Sequence, residues 1–295
     1  MAWDGWIGRN ETRTDLFTPQ LLERFCATLD LAPAGDIAPQ GIHWCLCPPA
    51  APTASLGTDG HPRRDDSADG FLPPVPLPRR MWASSKVEFL APIPVAAEIE
   101  RASTIAGITE KSGSSGALVF VDVDHETHAN GIPAVRERQT IVYREANLPS
   151  RLREGSEAGL SQALTHPPLT PPAGGRGTGW PWHRTVMPSE PLLLRYSALT
   201  FNSHRIHYDR PYATQAEGYP GLVVHGPLTA TLLLDLAARE LGCNSLASFS
   251  FRGQSPAIVG EPLHLAGRID GNAITLSAMG EDGRVIMSAE ANLKP

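Results

Sequence analysis

A run of nine residues, Phe201-Asn202-Ser203-His204-Arg205-Ile206-His207-Tyr208-Asp209, gathers an amide, two imidazoles, a guanidinium and a carboxylate, and His225-Gly226-Pro227 follows it. The run holds too few aliphatic side chains to be a core strand, which leaves its polar groups available for chemistry. Imidazoles titrate near neutral pH and can both take and return a proton. An amide such as that of Asn202 can only orient a water through hydrogen bonds. Gly226 and Pro227 read as the start of a helix, where unpaired N–H groups and the macrodipole favour developing negative charge. A glycine there also lets a ligand approach the backbone closely. His204 and His225 are candidate substrate contacts, and Arg205 and Arg210 suit phosphates or a carboxylate. Asp209 is placed to hold a ring or to pair with either arginine. His204, His207, Asp209 and His225 could in principle ligate a metal, but His-x2-His-x-Asp is a weak pattern and none is expected.

The elements that must position these groups follow from periodicity and turn residues. The segment opening at Gly226 is apolar nearly all round and ends at Gly242, which suggests a helix buried by sheet. Strand-like pieces precede it at about 181–187 and 191–198. Strands follow it at about 246–255, 262–270, 273–279 and 284–292, with turns at Gly271-Asn272 and Asp282-Gly283. In the first half, Thr18-Pro19 opens a helix to about Leu29 that should lie against a sheet. Strand-like runs then occupy about 84–91, 96–110, 116–128 and 134–144, the last two joined at Asn130-Gly131. Residues 48–78 are rich in Pro, Gly, Ala, Asp and Arg and have no periodicity, so they read as a long loop, either a lid or binding segment or a tolerated insertion. A Pro- and Gly-rich stretch at 149–179 reads as a linker between an N-terminal unit, 1–148, and a C-terminal unit, 180–295. Both halves read as a helix followed by an antiparallel meander, a duplicated α+β unit.

Composition narrows the function. A net charge of -6 and a pI near 5.9 argue against a protein built to bind nucleic acid. Of the 25 basic residues only Lys86, Lys111 and Lys294 are lysine, and the arginine excess suits bidentate phosphate contacts. No stretch has the length of apolar sequence that a membrane span needs, and the N-terminus has no leader pattern, so a cytoplasmic protein is expected. Cys26, Cys45, Cys47 and Cys243 are too few and too unevenly spaced for a disulfide framework. His43, Cys45 and Cys47 would share one face of a strand, and are read as small buried side chains rather than metal ligands.

Residues 191 to 245 resemble the MaoC-like, or hydratase-2, branch of the hot dog fold, in which a long central helix is wrapped by a curved antiparallel sheet. The resemblance is carried by Asn202-Ser203-His204-Arg205-Ile206-His207, by Ala213, and by His225-Gly226. Where the family has a catalytic Asp this chain has Asn202, and where it has an Asn the chain has His204; His207 is retained. The variant is similar to the subgroup of mesaconyl-C4-CoA hydratases, itaconyl-CoA hydratases and mitochondrial 3-hydroxyacyl-thioester dehydratases. That similarity extends to Gly70-Phe-Leu-Pro-Pro-Val-Pro-Leu-Pro-Arg-Arg-Met-Trp82, Lys111-Ser-Gly-Ser-Ser-Gly116 and Ile141-Val-Tyr-Arg-Glu145.

The resemblance implies a double hot dog and a hydro-lyase acting on a short, branched or dicarboxylic enoyl-CoA thioester of the mesaconyl-C4-CoA or itaconyl-CoA type. Hydration needs a base for water, a proton for the α-carbon and donors for an enolate oxygen. The resemblance gives His207 the acid-base role, leaves Asn202 to orient water, and gives the Gly226 N–H the thioester carbonyl. It implies no cofactor or metal, and a homodimer is the expected assembly. The N-terminal half has no counterpart of the histidine motif and is expected to shape the pocket rather than to react. Two other functions fit the same residues: a hot dog acyl-CoA thioesterase, and a non-catalytic acyl-thioester binding protein.

Overall fold

The computed structural model of the chain describes residues 3–32, 35–63, 70–113, 116–145 and 180–295. The linker expected at 149–179 lies outside the described residues. Five strands come from the first half: β1 (Asn10–Leu16), β2 (Arg79–Phe89), β3 (Glu98–Gly113), β4 (Gly116–Ala129) and β5 (Ile132–Arg144). Five come from the second: β6 (Trp182–Val186), β7 (Leu246–Gly253), β8 (Leu263–Asp270), β9 (Ala273–Gly280) and β10 (Val285–Leu293). They form one sheet in the order β1-β3-β4-β5-β2-β7-β10-β9-β8-β6. The halves join where β2 pairs antiparallel with β7, Ser84 opposite Arg252 through Glu88 opposite Ser248. Asn130 and Gly131, both at positive φ, make the tight turn between β4 and β5.

Three α-helices cover this sheet: α1 (Pro19–Leu29), α2 (Glu190–Thr200) and α3 (Gly226–Leu241). The whole run Leu228 to Ala237 of α3 is buried, because β6, β8, β9 and β10 wrap it. Its one buried carboxylate, Asp235, is paired by Arg184 of β6 and by Arg239 one turn along. Thr18 caps α1 by accepting from the Leu21 N–H at 3.1 Å, as its sequence requires. The principal neighbour of α1 is α2 rather than a strand, although its Leu22, Phe25 and Leu29 join the same core as Phe89 and Ile99 of the sheet. The architecture is α+β, a double hot dog. No described helix is long and apolar enough to cross a membrane.

Three local expectations change. Residues 191–198 are helical, within α2: Ser189 caps the Leu192 N–H, Pro191 sits in the first turn, and Leu193, Tyr196, Ser197 and Leu199 are buried at helical spacing. A short run of leucines carries no period of its own, so caps decide it. His43 and Cys45 lie in a 3-10 turn, Ile42–Cys45, not along a strand face. β1 was not foreseen, since its residues, Asn-Glu-Thr-Arg-Thr-Asp-Leu, have no apolar alternation; it is fixed by pairing with β3, Asn10 opposite Thr104.

Candidate active site

The polar run lies between α2 and α3, and its backbone is held at every step. Phe201 ends α2 in the left-handed region at φ 49°. The Asn202 side chain then accepts from the His204 N–H at 2.9 Å, turning the chain into a 3-10 turn, Arg205–His207. Asp209 caps the next turn by accepting from the Tyr212 N–H at 3.0 Å, and its other oxygen accepts from Arg205. The Val223 N–H donates to Ile206 O at 3.0 Å, which brings the strand-like approach to α3 alongside the motif.

That last pairing fixes His207. Its Nδ1 lies 2.7 Å from Val223 O. A carbonyl only accepts, so Nδ1 carries the proton and Nε2 keeps its lone pair. Among the described residues Nε2 has no hydrogen-bond partner. The ring is buried, and burial pushes its pKa down to about 3 against the opposing Val223 hydrogen bond. At neutral pH His207 is therefore a neutral imidazole with its tautomer set, able to accept a proton at Nε2.

His225 stacks on His207 with ring centroids 3.6 Å apart. Its Nε2 is 2.8 Å from the Ser197 hydroxyl, while its Nδ1 is buried without a partner. Burial also holds this imidazole well below its ordinary value. His225 is the residue immediately before α3, so the stacking puts His207 beside the first free amides of that helix. A Cβ at Gly226 would meet no atom within 4 Å, and its φ is not positive. Neither packing nor backbone conformation of this chain thus requires glycine there.

His204 meets the edge of His207 at 5.5 Å, and burial lowers its pKa to about 3. The structure therefore brings the rings of His204, His207 and His225 together, with Gly226 next in the chain to His225 and the Asn202 side chain held on the His204 N–H. It does not bring Arg205, Asp209 or Arg210 to the imidazoles. Arg205 pairs with Asp209 and lies over the Tyr212 ring, and exposed Arg210 faces Glu190 at 3.7 Å. The ligand atoms of His204, His207, Asp209 and His225 do not gather as a set among the described residues.

Sequence reasoning missed what the first half contributes. Residues 57–62, part of the long loop, dock on the motif: Arg205 N–H donates to Asp59 O at 2.8 Å, Ser203 Oγ to Gly60 O at 2.6 Å, and Arg205 Nη1 to Thr58 O at 2.9 Å. The His61 ring lies against His204, centroids 4.1 Å apart. Gly60, at φ +85°, leaves no alternative residue, since a Cβ would stand 2.0 Å from Ser203 O. Farther along, Arg79 of β2 pairs with Glu217 at 3.0 Å. A glycine- and aspartate-rich loop has no periodic signal, and only the Asp-Gly-His sequence itself could have drawn notice.

The fold places the chain in the hot dog class, with a buried imidazole beside a helix start as its candidate reacting group. The family model described as hydroxyacyl-thioester dehydratase type 2 matches residues 41–259, and the chain belongs to that family. The chain is 42% identical to the mesaconyl-C(4)-CoA hydratase of Chloroflexus aurantiacus, covering 99% of this chain and 98% of the relative. Among solved structures, a MaoC-like dehydratase aligns with a TM-score of 0.70 at 17% identity, covering 98% of each chain. A Mycobacterium tuberculosis protein with a double hot dog fold aligns with a TM-score of 0.56 at 12% identity, over 97% of this chain and 96% of that one.

Proposed function

We propose that the protein reversibly hydrates a short branched or dicarboxylic enoyl-CoA thioester of the mesaconyl-C4-CoA or itaconyl-CoA type. The observation that carries this is the fixed His207 tautomer, with Nε2 unoccupied, held beside the Gly226 end of α3. In the hydration direction Nε2 takes a proton from water as the water oxygen bonds to the β-carbon. The electron pair of the double bond moves onto the thioester oxygen as an enolate, which accepts a hydrogen bond from the Gly226 N–H. The enolate then collapses and the α-carbon takes the proton back from Nε2. Asn202 and His204 orient the water, and His225, whose Nδ1 is unpartnered, stacks on the reacting ring. Exposed Arg210, which faces Glu190 at 3.7 Å, is offered to the CoA phosphates. No cofactor enters this chemistry. Similarity to the mesaconyl-C(4)-CoA hydratase supports the acyl class.

The test is a panel of enoyl-CoA esters, mesaconyl-C4-CoA and itaconyl-CoA among them, followed by loss of the conjugated thioester absorbance. Turnover of one of the dicarboxylic esters that disappears in His207→Ala is the expected result. Release of free CoA thiol would mark a thioesterase instead, and ester binding without turnover would mark a binding protein. We also infer a cytoplasmic homodimer, which light scattering and cell fractionation would check.

A further inference from the structure

The only three His, Cys, Asp or Glu side chains among the described residues whose ligand atoms come within 4.8 Å of one another are Asp59, His61 and His204. Two of them come from the loop of the N-terminal half. The loop needs neither side chain for docking, because Arg205 and Ser203 already hold it through the carbonyls of Thr58, Asp59 and Gly60. Yet the Asp59 carboxylate is spent on His61, accepting from its N–H at 3.0 Å and from its Nδ1 at 3.3 Å. Because a carboxylate only accepts, this contact puts the His61 proton on Nδ1 and leaves Nε2 as the lone-pair nitrogen. Among the described residues neither that Nε2 nor either ring nitrogen of His204 has a hydrogen-bond partner. The rings then run in contact, His61 to His204 at 4.1 Å, His204 to His207 at 5.5 Å, and His207 to His225 at 3.6 Å.

We propose that Asp59 and His61 are positioning residues of the His207 site: Asp59 fixes the His61 tautomer, and His61 packed on His204 fixes the ring that meets His207. The inference rests on the acid-base role given to His207 above. It assigns the N-terminal half a part in the reaction rather than in pocket shape alone, and it places a carboxylate behind the imidazoles although position 202 carries an amide. Burial is the largest influence on Asp59 and opposes its ionisation, but the hydrogen bonds and charge of His61, with His204, together outweigh it and bring the carboxyl to about 2, so the brace stays charged at working pH. Other charges facing the rings are Arg80 of β2, near both His61 and His204, and Glu217, near His61.

The experiment compares Asp59→Asn, His61→Phe and Ser203→Ala in the full chain, with His207→Ala as control. The first readout needs no turnover: nitrogen-15 spectra of the labelled imidazoles, titrated with pH. Asp59→Asn is expected to scramble the His61 tautomer and to displace the His204 and His207 signals. The second readout is steady-state kinetics on the best ester of the panel. Asp59→Asn and His61→Phe are expected to lower kcat about 10- to 100-fold with KM little changed, the size of loss that misplacement of reacting groups produces. The acid limb of their kcat profile should move as well. Ser203→Ala, which loosens the same loop without touching a ring, should leave that limb in place. Wild-type kcat and an unmoved limb in both loop variants, while His207→Ala is dead, would overturn the inference and leave the hydro-lyase reading standing. An active His207→Ala would instead remove the foundation. Loss of wild-type activity on chelation, restored by zinc, would make the three side chains a metal site and also overturn it.

Discussion

Replacing Gly226 by Ala separates catalysis from folding at a single position. A Cβ there meets no protein atom within 4 Å and the backbone is not in the left-handed region, so the substitution adds no clash and no strain. Gly226 is the first residue of α3, where alanine is the better helix former and restricts the unfolded chain more. Stability should therefore stay level or rise by up to about 1 kcal/mol. In a chain of this size that is roughly 2–4 °C in Tm. The methyl group would occupy the space in front of the helix amide, where the thioester oxygen is proposed to sit. Loss of one such donor typically costs about 100- to 1000-fold in kcat. The assay pairs thermal unfolding with progress curves on mesaconyl-C4-CoA. An active Gly226→Ala enzyme would place the thioester elsewhere, and a Tm drop of many degrees would mean that the glycine serves packing after all.

Other consequences can be measured alongside. Gly60→Ala should destabilise by more than about 2 kcal/mol, since it combines a positive φ with a 2.0 Å approach to Ser203 O; urea unfolding would show this as a lower midpoint at constant slope. Asn202→Asp keeps the acceptor for the His204 N–H, so the turn should persist and activity should survive, with the acid limb of the rate profile moved upward by the added negative charge. Acid should loosen the fold early. His43, His207 and His225 are buried with depressed pKa values, so below the unfolded value near 6.5 the unfolded chain binds protons that the folded chain refuses. Stability then falls with falling pH by up to about 1.4 kcal/mol per unit for each histidine, until the folded values near 3 for His43 and His207 are reached. Tm between pH 7 and 5 should track this, and His43→Phe should flatten the slope.

Much of this was legible in residue order. Gly226-Pro227 and Gly242 mark both ends of α3, and Asn130-Gly131 marks the β4–β5 hairpin, because caps and tight turns depend on a few neighbouring residues. The run 202–209 declared itself by density of functional groups. What stayed hidden depends on distance along the chain. Nothing in Pro191-Leu-Leu-Leu says helix until Ser189 is seen capping it, and β1 takes its structure from β3, some ninety positions away. Asp59 and His61 belong to a stretch without period, and their meeting with His204 is set by docking that no local pattern encodes. Arg205 and Asp209 are candidates both for substrate and for each other, and the structure pairs them with each other.

The close approach of Gly60 to Ser203 has a genetic side. The carbonyl of residue 203 fills the place where residue 60 would carry a side chain, so the two halves cannot drift apart as independent repeats. A change in either loop is screened by the other, and swapping the N-terminal half for that of a distant relative should succeed only if its glycine comes too.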